Sequence, residues 1–187
     1  MTESHLLVRR DFLGGALAAL PMALVGQSVQ APASAAVNVV QAGEDCLGEH
    51  HTIGVSTTAF KVLTGDSSGG LFIFEHSSSK KGGPPRHLHH NEDEWFYVVE
   101  GQYLVEIGSV RLQLKAGDSV LGPREVPHAW AFIGDTPGRL LIAFAPANKM
   151  EAYFRYTEKL RKGEYINDAE IFRAYGMELL GPPLPIS

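Results

Sequence analysis

Cysteine is nearly absent from this chain of 187 residues: Cys46 stands alone, which excludes an intrachain disulfide and leaves the fold to be held by packing. Positive charge is also scarce. Lys and Arg number 16 against 21 Asp and Glu, for a net charge of −5, and a nucleic-acid footprint needs a clustered excess of basic residues that is missing here. A small molecule is the expected partner. No apolar run reaches the roughly 20 residues that span a bilayer, and there is no internal repeat or low-complexity tract. What is present is ordinary globular composition, 44% hydrophobic and 20% charged, in a chain long enough for one substantial core.

The first 35 residues do not read as part of that core. Arg9 and Arg10 precede Asp11, Phe12 and Leu13, an apolar stretch runs from Leu13 to Val25 with Gly14, Gly15 and Pro21 inside it, and Ala33, Ser34 and Ala35 form a small-x-small cleavage site. This is the layout of a signal peptide, and it implies a periplasmic or secreted protein with no membrane anchor after cleavage. The string RRDFL resembles the twin-arginine signal, which exports proteins already folded; an ordinary secretory signal with two chance arginines is the alternative. Cleavage leaves the net charge unchanged, since Glu3 and Asp11 offset the two arginines.

Residues 36–54 form an expected N-terminal arm. Beyond it, apolar and polar residues alternate in short runs punctuated by glycine, proline and serine, the period of strands with one buried face. Strands are expected over 59–63, 71–75, 94–99, 102–107, 110–114, 119–121, 128–133 and 140–145, a number that suits a sandwich or jelly roll. Gly108 and Ser109 join two of them as a type II′ hairpin turn. The segment SSSKKGGPP, residues 77–85, reads as a flexible loop. After Pro146 the period becomes helical: Met150, Tyr153, Phe154, Thr157 and Leu160 predict a helix with Asn148 and Glu151 as its capping pair, and a second helix is expected over 168–175, with Asn167 and Glu170 capping it and Gly176 ending it.

His87 and His89, two apart on an extended chain, project from one face about 7 Å apart, so their rings can converge on one ion. Glu94 opens the next strand and His128 a later one. A barrel that brings these strand starts together assembles three nitrogens and one oxygen around one divalent metal.

RHLHHNEDEWFYVVEG is similar to the first motif of the cupins, H-x-H-x(3,4)-E-x(6)-G, with His87, His89, Glu94 and Gly101 in its places. GDSVLGPREVPHAWAF resembles the second, with Gly117, Pro123 and His128 in position, Glu125 where glycine is usual and Phe132 where asparagine is usual. The resemblance implies an all-β double-stranded β-helix, a jelly-roll barrel over 55–146, followed by a short helical tail over 147–187. It implies His87, His89, Glu94 and His128 as metal ligands and, since cupins are often dimers, a homodimer. A metal-free cupin that keeps its histidines for packing is the alternative. The ligand set does not choose the ion: intrinsic affinity favours Cu or Zn, whereas folding before export would trap Mn, Fe or Ni.

Strand parity sketches a pocket. If Glu94 points inward, so do Phe96 and Val98; if His128 does, so do Trp130 and Phe132. These rings either wall a substrate pocket or simply fill a small barrel. Trp95, Tyr97 and Val99, on the opposite parity, need a cover. Arg86 and Arg124 flank the ligands and stand where they could meet an anionic substrate, although solvated surface arginines are the commoner case. His50, His51, His76 and His90 are expected at ordinary surface positions.

The stretch GGPPRHLHHNEDEWFYVVEGQ and the tail YGMELLGPP resemble single-domain cupins of the quercetin 2,3-dioxygenase-like group. The resemblance implies a metal-dependent oxygenase acting on a small enolic or aromatic substrate, with Glu94 as the catalytic group that accepts the substrate's proton. A non-catalytic cupin that binds a metal or small ligand is the second reading. A cupin isomerase or lyase is the third, although the apolar inward positions do not suit a sugar phosphate.

Overall fold

Strand β5 (Asp93–Glu100) buries Glu94, Phe96 and Val98 and turns Trp95, Tyr97 and Val99 outward, as a period-two pattern requires of a sheet with one covered face. The same alternation organises the rest of the computed structural model, which describes residues 38–49, 51–54, 56–160 and 164–186. The segment read as a signal peptide, residues 36 and 37 at the start of the arm, and His50 lie outside the described residues.

In chain order the strands are β1 (His51–Ile53), β2 (Ser56–Val62), β3 (Phe72–Ser78), β4 (Pro85–His89), β5, β6 (Gln102–Ile107), β7 (Val110–Lys115), β8 (Ser119–Gly122), β9 (His128–Phe132), β10 (Gly138–Ala145) and β11 (Met177–Pro183), with helices α1 (Met150–Leu160) and α2 (Ala169–Ala174) before the last. They form two antiparallel sheets, one in the order β1-β2-β3-β10-β5-β8 and one in the order β11-β4-β9-β6-β7. This is the all-β jelly-roll architecture with a short helical tail that the sequence predicts.

Phenylalanines dominate the space between the sheets. Phe60, Phe72, Phe74, Phe96 and Phe144 come from the six-stranded sheet, and Tyr103, Trp130 and Phe132 from the five-stranded one. All are buried, and each aromatic ring removed from water at about 25 cal/mol per Å² is a large share of the driving force.

Turn chemistry sets the register. Gly108 has φ +59° while Ser109 is not among the residues with positive φ, so glycine takes the first turn position, and β6 pairs with β7 from Ile107↔Val110 through Gln102↔Lys115.

Four expectations need correction. The 77–85 segment is no loose loop: Ser77 and Ser78 close β3, Pro85 opens β4, and Gly82 exchanges two backbone hydrogen bonds with Phe132, at 3.1 and 2.8 Å. Asn148 and Glu151 do not cap α1. Asn148 instead sends its amide to the Asn91 carbonyl and to Glu92, and Glu151 accepts from the Thr64 backbone N–H and from Arg155. The cap of α2 is Asp168 rather than Asn167, accepting from the Glu170 and Ile171 backbone N–H groups; Gly176, at φ +84°, stands where the helix stops. The tail also ends in a strand, β11, which pairs with β4 through Met177↔His89 and Leu179↔His87.

Candidate metal centre

Three of the expected ligands come from one sheet and the fourth from the other. His87 and His89 share a face of β4, and His87 lies directly opposite His128 on β9. Glu94 reaches across from β5. The four side chains are buried, and one ligand atom from each lies within 4.8 Å of the others. The Nε2 atoms of His128, His89 and His87 stand 2.9, 3.2 and 3.9 Å from Glu94 Oε2.

What holds the rings in this attitude is on their far sides. His87 Nδ1 donates to the Pro85 carbonyl at 2.8 Å and His128 Nδ1 to the Val126 carbonyl at 2.9 Å. His89 Nδ1 donates to Glu92 Oε1 at 2.7 Å, and Glu92 Oε2 accepts in turn from the Asn148 amide at 2.9 Å. With every Nδ1 committed as a donor, every Nε2 is the atom turned inward, able to ligate once it carries no proton, the arrangement that orients metal-binding histidines. The donor set of three imidazoles and one carboxylate fits a divalent ion and leaves an octahedral one two further positions.

The electrostatics divide the histidines. Burial pushes His87 down to about 3, aided by the neighbouring His128 and His89 rings. Burial acts on His89 in the same direction, but hydrogen bonds to Glu92 and Glu94 outweigh it and raise that ring to about 9. Glu94 is likewise pushed up by burial and pulled further down by His128 and His89, ending far below the ordinary carboxylate range. It is an ionised carboxylate held in a buried place by its histidines.

The second cupin-like stretch positions His128. Glu125, where glycine is usual, has φ +62°, the left-handed conformation that explains the preference for glycine there. Its backbone N–H donates to the His89 carbonyl at 2.7 Å, and its carboxylate accepts from His90 Nδ1 at 3.0 Å, contacts that hold the turn in place. Phe132, where asparagine is usual, is a core ring against Tyr103, with centroids 5.4 Å apart.

A cavity opens on the ligand atoms. Its lining includes His87, His89, Glu94 and Trp130, the β3 side chains Phe74 and His76, the α1 side chains Met150, Tyr153, Phe154 and Thr157, and Tyr165 and Phe172 from the tail. The spacing of the four α1 residues is that of one helix face. It is narrow, with about 50 Å³ open to the centre of a water molecule. Of the four residues expected to wall a pocket, Trp130 does so; Phe96, Val98 and Phe132 sit in the core and are not among the lining residues.

Arg86 pairs with Glu106 and the Gly108 carbonyl, and Arg124 with Asp93 through two nitrogens at 3.0 Å, so both arginines are committed to protein partners. Of the histidines expected at the surface, His90 is exposed, but His51 and His76 are buried, the former stacked on Phe60 at 4.2 Å and bonded to Glu158 at 2.7 Å.

Sequence reasoning missed Glu92, Asn148, His76 and Tyr165. Glu92 lies in a polar turn and carries no signal of its own. His76 was within reach: the inward parity of Phe72 and Phe74 continues to it, one residue past the expected end of that strand.

Residues 76–144 match the family model described as the cupin domain. Among curated proteins, an uncharacterized protein of Methanocaldococcus jannaschii is 30% identical over 60 residues, covering 32% of this chain and 48% of that one, and the protein SchB of Streptomyces halstedii is 32% identical over 60 residues, covering 32% and 44%. The chain thus spans about half the length of the curated relatives it matches. Among solved structures, an RmlC-like cupin from Shewanella frigidimarina is similar at 26% identity and TM-score 0.46, covering 55% of this chain and 87% of that one. KdgF from a Halomonas species is similar at 18% and 0.47, covering 52% and 86%, and the nucleoside dehydratase Pac13 at 13% and 0.47, covering 74% and 87%. The match to the cupin domain thus spans residues 76–144, the segment that supplies all four candidate ligands.

Proposed function

We propose that this chain is an exported, metal-dependent oxygenase acting on a small enolic or aromatic substrate. The observation that carries the proposal is the convergence of His87, His89, Glu94 and His128, the first three of which line a narrow cavity walled by aromatic side chains. A divalent ion held by these four would supply Lewis acidity and, for a redox-active metal, access to dioxygen. The chain's own part is to bind and orient. The rings of Trp130, Phe74, Phe154 and Phe172 suit a flat molecule and keep water from it, and Glu94, held ionised, is placed to accept the proton of an enolic hydroxyl. The narrowness of the cavity favours substrates of one ring or fewer over a three-ring flavonol, which would require the walls to move.

The same reading carries two further proposals. Export rests on the RRDFL segment and the Ala33–Ser34–Ala35 site. A homodimer would cover the outer face of the six-stranded sheet, where Trp95 stacks on Tyr97 with centroids 5.8 Å apart and Leu121 is half exposed.

Oxygen uptake tests the central reading. Protein loaded in turn with Mn, Fe or Ni is expected to consume oxygen with acetylacetone or catechol faster than with quercetin, and Glu94→Ala is expected to abolish uptake. If no loaded form consumes oxygen with any of the three, the oxygenase reading fails and ligand binding becomes the better account.

A further inference from the structure

The inner face of β3 changes character along its length. Phe72 and Phe74 give way to His76 and Ser78, all four buried, so the cavity that begins at the ligand atoms ends among polar groups. His76 is 1% exposed. Its Nε2 lies 3.1 Å from the Tyr165 hydroxyl and its Nδ1 3.2 Å from Ser78 Oγ. Both His76 and Tyr165 line the cavity, and Trp130 stands between them and the ligand end, edge-on to His76 at 4.8 Å.

The place of Tyr165 is built into the backbone. Gly54, at φ +60°, passes so close that a Cβ there would meet the Tyr165 ring at 2.8 Å, so glycine is required both by conformation and by the ring it faces. Across the sheet from His76, the buried Thr58 hydroxyl has no hydrogen-bond partner among the described residues.

Chemistry limits what this end can hold. A neutral imidazole donates through one nitrogen and accepts through the other, and each hydroxyl beside it can do either. If Ser78 donates to Nδ1, Nε2–H donates to Tyr165, and the phenol hydrogen is left for the neighbouring Ser56 or for a ligand. If the tautomer is reversed, Tyr165 donates to His76 and its oxygen accepts from a ligand. The pair thus suits a hydroxyl or a carbonyl equally. It does not suit an anion: among the described residues that line the cavity there is no lysine or arginine, while Glu94 and Glu164 both line it. Burial holds His76 down to about 3, so it brings no positive charge.

We propose that His76 and Tyr165 form a second recognition point in this cavity, which takes an uncharged hydroxyl or carbonyl of a small planar ligand whose opposite end reaches the His87, His89, Glu94 and His128 group. The proposal rests on the reading of that group as the metal anchor of the ligand. Trp130 lies two residues from His128 along β9, and its ring is 4.8 Å from that of His76, so the two ends of the cavity are joined through the Trp130 wall.

Kojic acid and allomaltol test it, because both present the same enolone chelate and differ only in a hydroxymethyl or methyl group at the far side of the ring. Calorimetric titration of the zinc-loaded protein separates binding from turnover, since zinc is redox-silent. The wild type is expected to bind kojic acid about tenfold more tightly than allomaltol, the worth of one hydrogen bond. Tyr165→Phe, which removes one oxygen and keeps the ring, is expected to bind the two equally, with allomaltol affinity and zinc content as in wild type. A preference that survives in Tyr165→Phe, no preference in the wild type, or no binding of either pyranone overturns the proposal. Oxygen uptake by the Mn, Fe or Ni form reports separately: a preserved tenfold preference without uptake leaves this recognition point standing and removes the oxygenase reading.

Discussion

Each histidine of the centre turns its Nδ1 away from the cavity, and the partner waiting there governs how readily its Nε2 takes a metal. His87 and His128 meet backbone carbonyls; His89 meets Glu92, itself anchored by Asn148. A carboxylate partner raises the basicity of a ring, and with Glu94 on the other side it raises His89 to about 9. At neutral pH and without a cation, His89 therefore carries a proton that must leave before its Nε2 can ligate. Metal affinity is expected to rise by about tenfold per pH unit through neutrality and to level off near pH 9, with about one proton released per ion bound. Titrations in buffers of different ionisation enthalpy measure that release. Glu92→Gln is expected to weaken binding by about 10–100-fold and to reduce the proton release. An affinity that does not change between pH 6 and 8 would contradict this. The sign for folding is the opposite one: a ring whose folded pKa exceeds its ordinary 6.5 stabilises the metal-free protein fully below 6.5, and that contribution is lost as pH rises through about 9.

At the scale of elements, β9 and the stretch that precedes β4 depend on a glycine pair. Gly82 bonds to Phe132, and a Cβ on Gly83 would lie 1.9 Å from the Trp130 carbonyl oxygen, where no side chain fits. Gly83→Ala is expected to destabilise the protein by about 3 kcal/mol, read as a fall of roughly 10 °C in Tm, and to disturb the Trp130 wall. Gly65→Ala, with nothing within 4 Å of the added methyl, is the control and should leave Tm within about 2 °C. Equal Tm values for the two variants would contradict the close approach. The same region shows why parts of the fold were legible and others were not. Strands β5, β6 and β10 each bury one face, so alternation reveals them. Strand β4 is covered on both faces over most of its length and carries His and Arg with a single aliphatic residue, Leu88, so neither alternation nor a hydrophobic run marks it. Strand β11 contains glycine and two prolines, tolerable because it is an edge strand, and such residues hide a strand from its sequence pattern. Asn148 had the spacing of a cap, but the tertiary bonds to Asn91 and Glu92 claimed its side chain.

Across the whole molecule, the centre exists because two sheets meet face to face: β4 and β9 present three nitrogens from one, β5 an oxygen from the other. The ligand identities were legible because His87, His89 and Glu94 stand close together in the chain and His128 opens a strand of its own. The cavity was not, because its walls come from β3, α1 and the tail, elements distant in sequence whose approach only the fold defines. The helical tail is accordingly part of the site, supplying Tyr153, Phe154, Tyr165 and Phe172 to the lining. The central claim, that the four side chains hold one metal together, is tested most directly by metal analysis of the purified protein beside His87→Ala and His128→Ala, with circular dichroism to confirm folding. The account expects about one divalent ion per chain in the wild type and loss of more than half of it in each variant; retention of more than half in either folded variant would contradict the assignment.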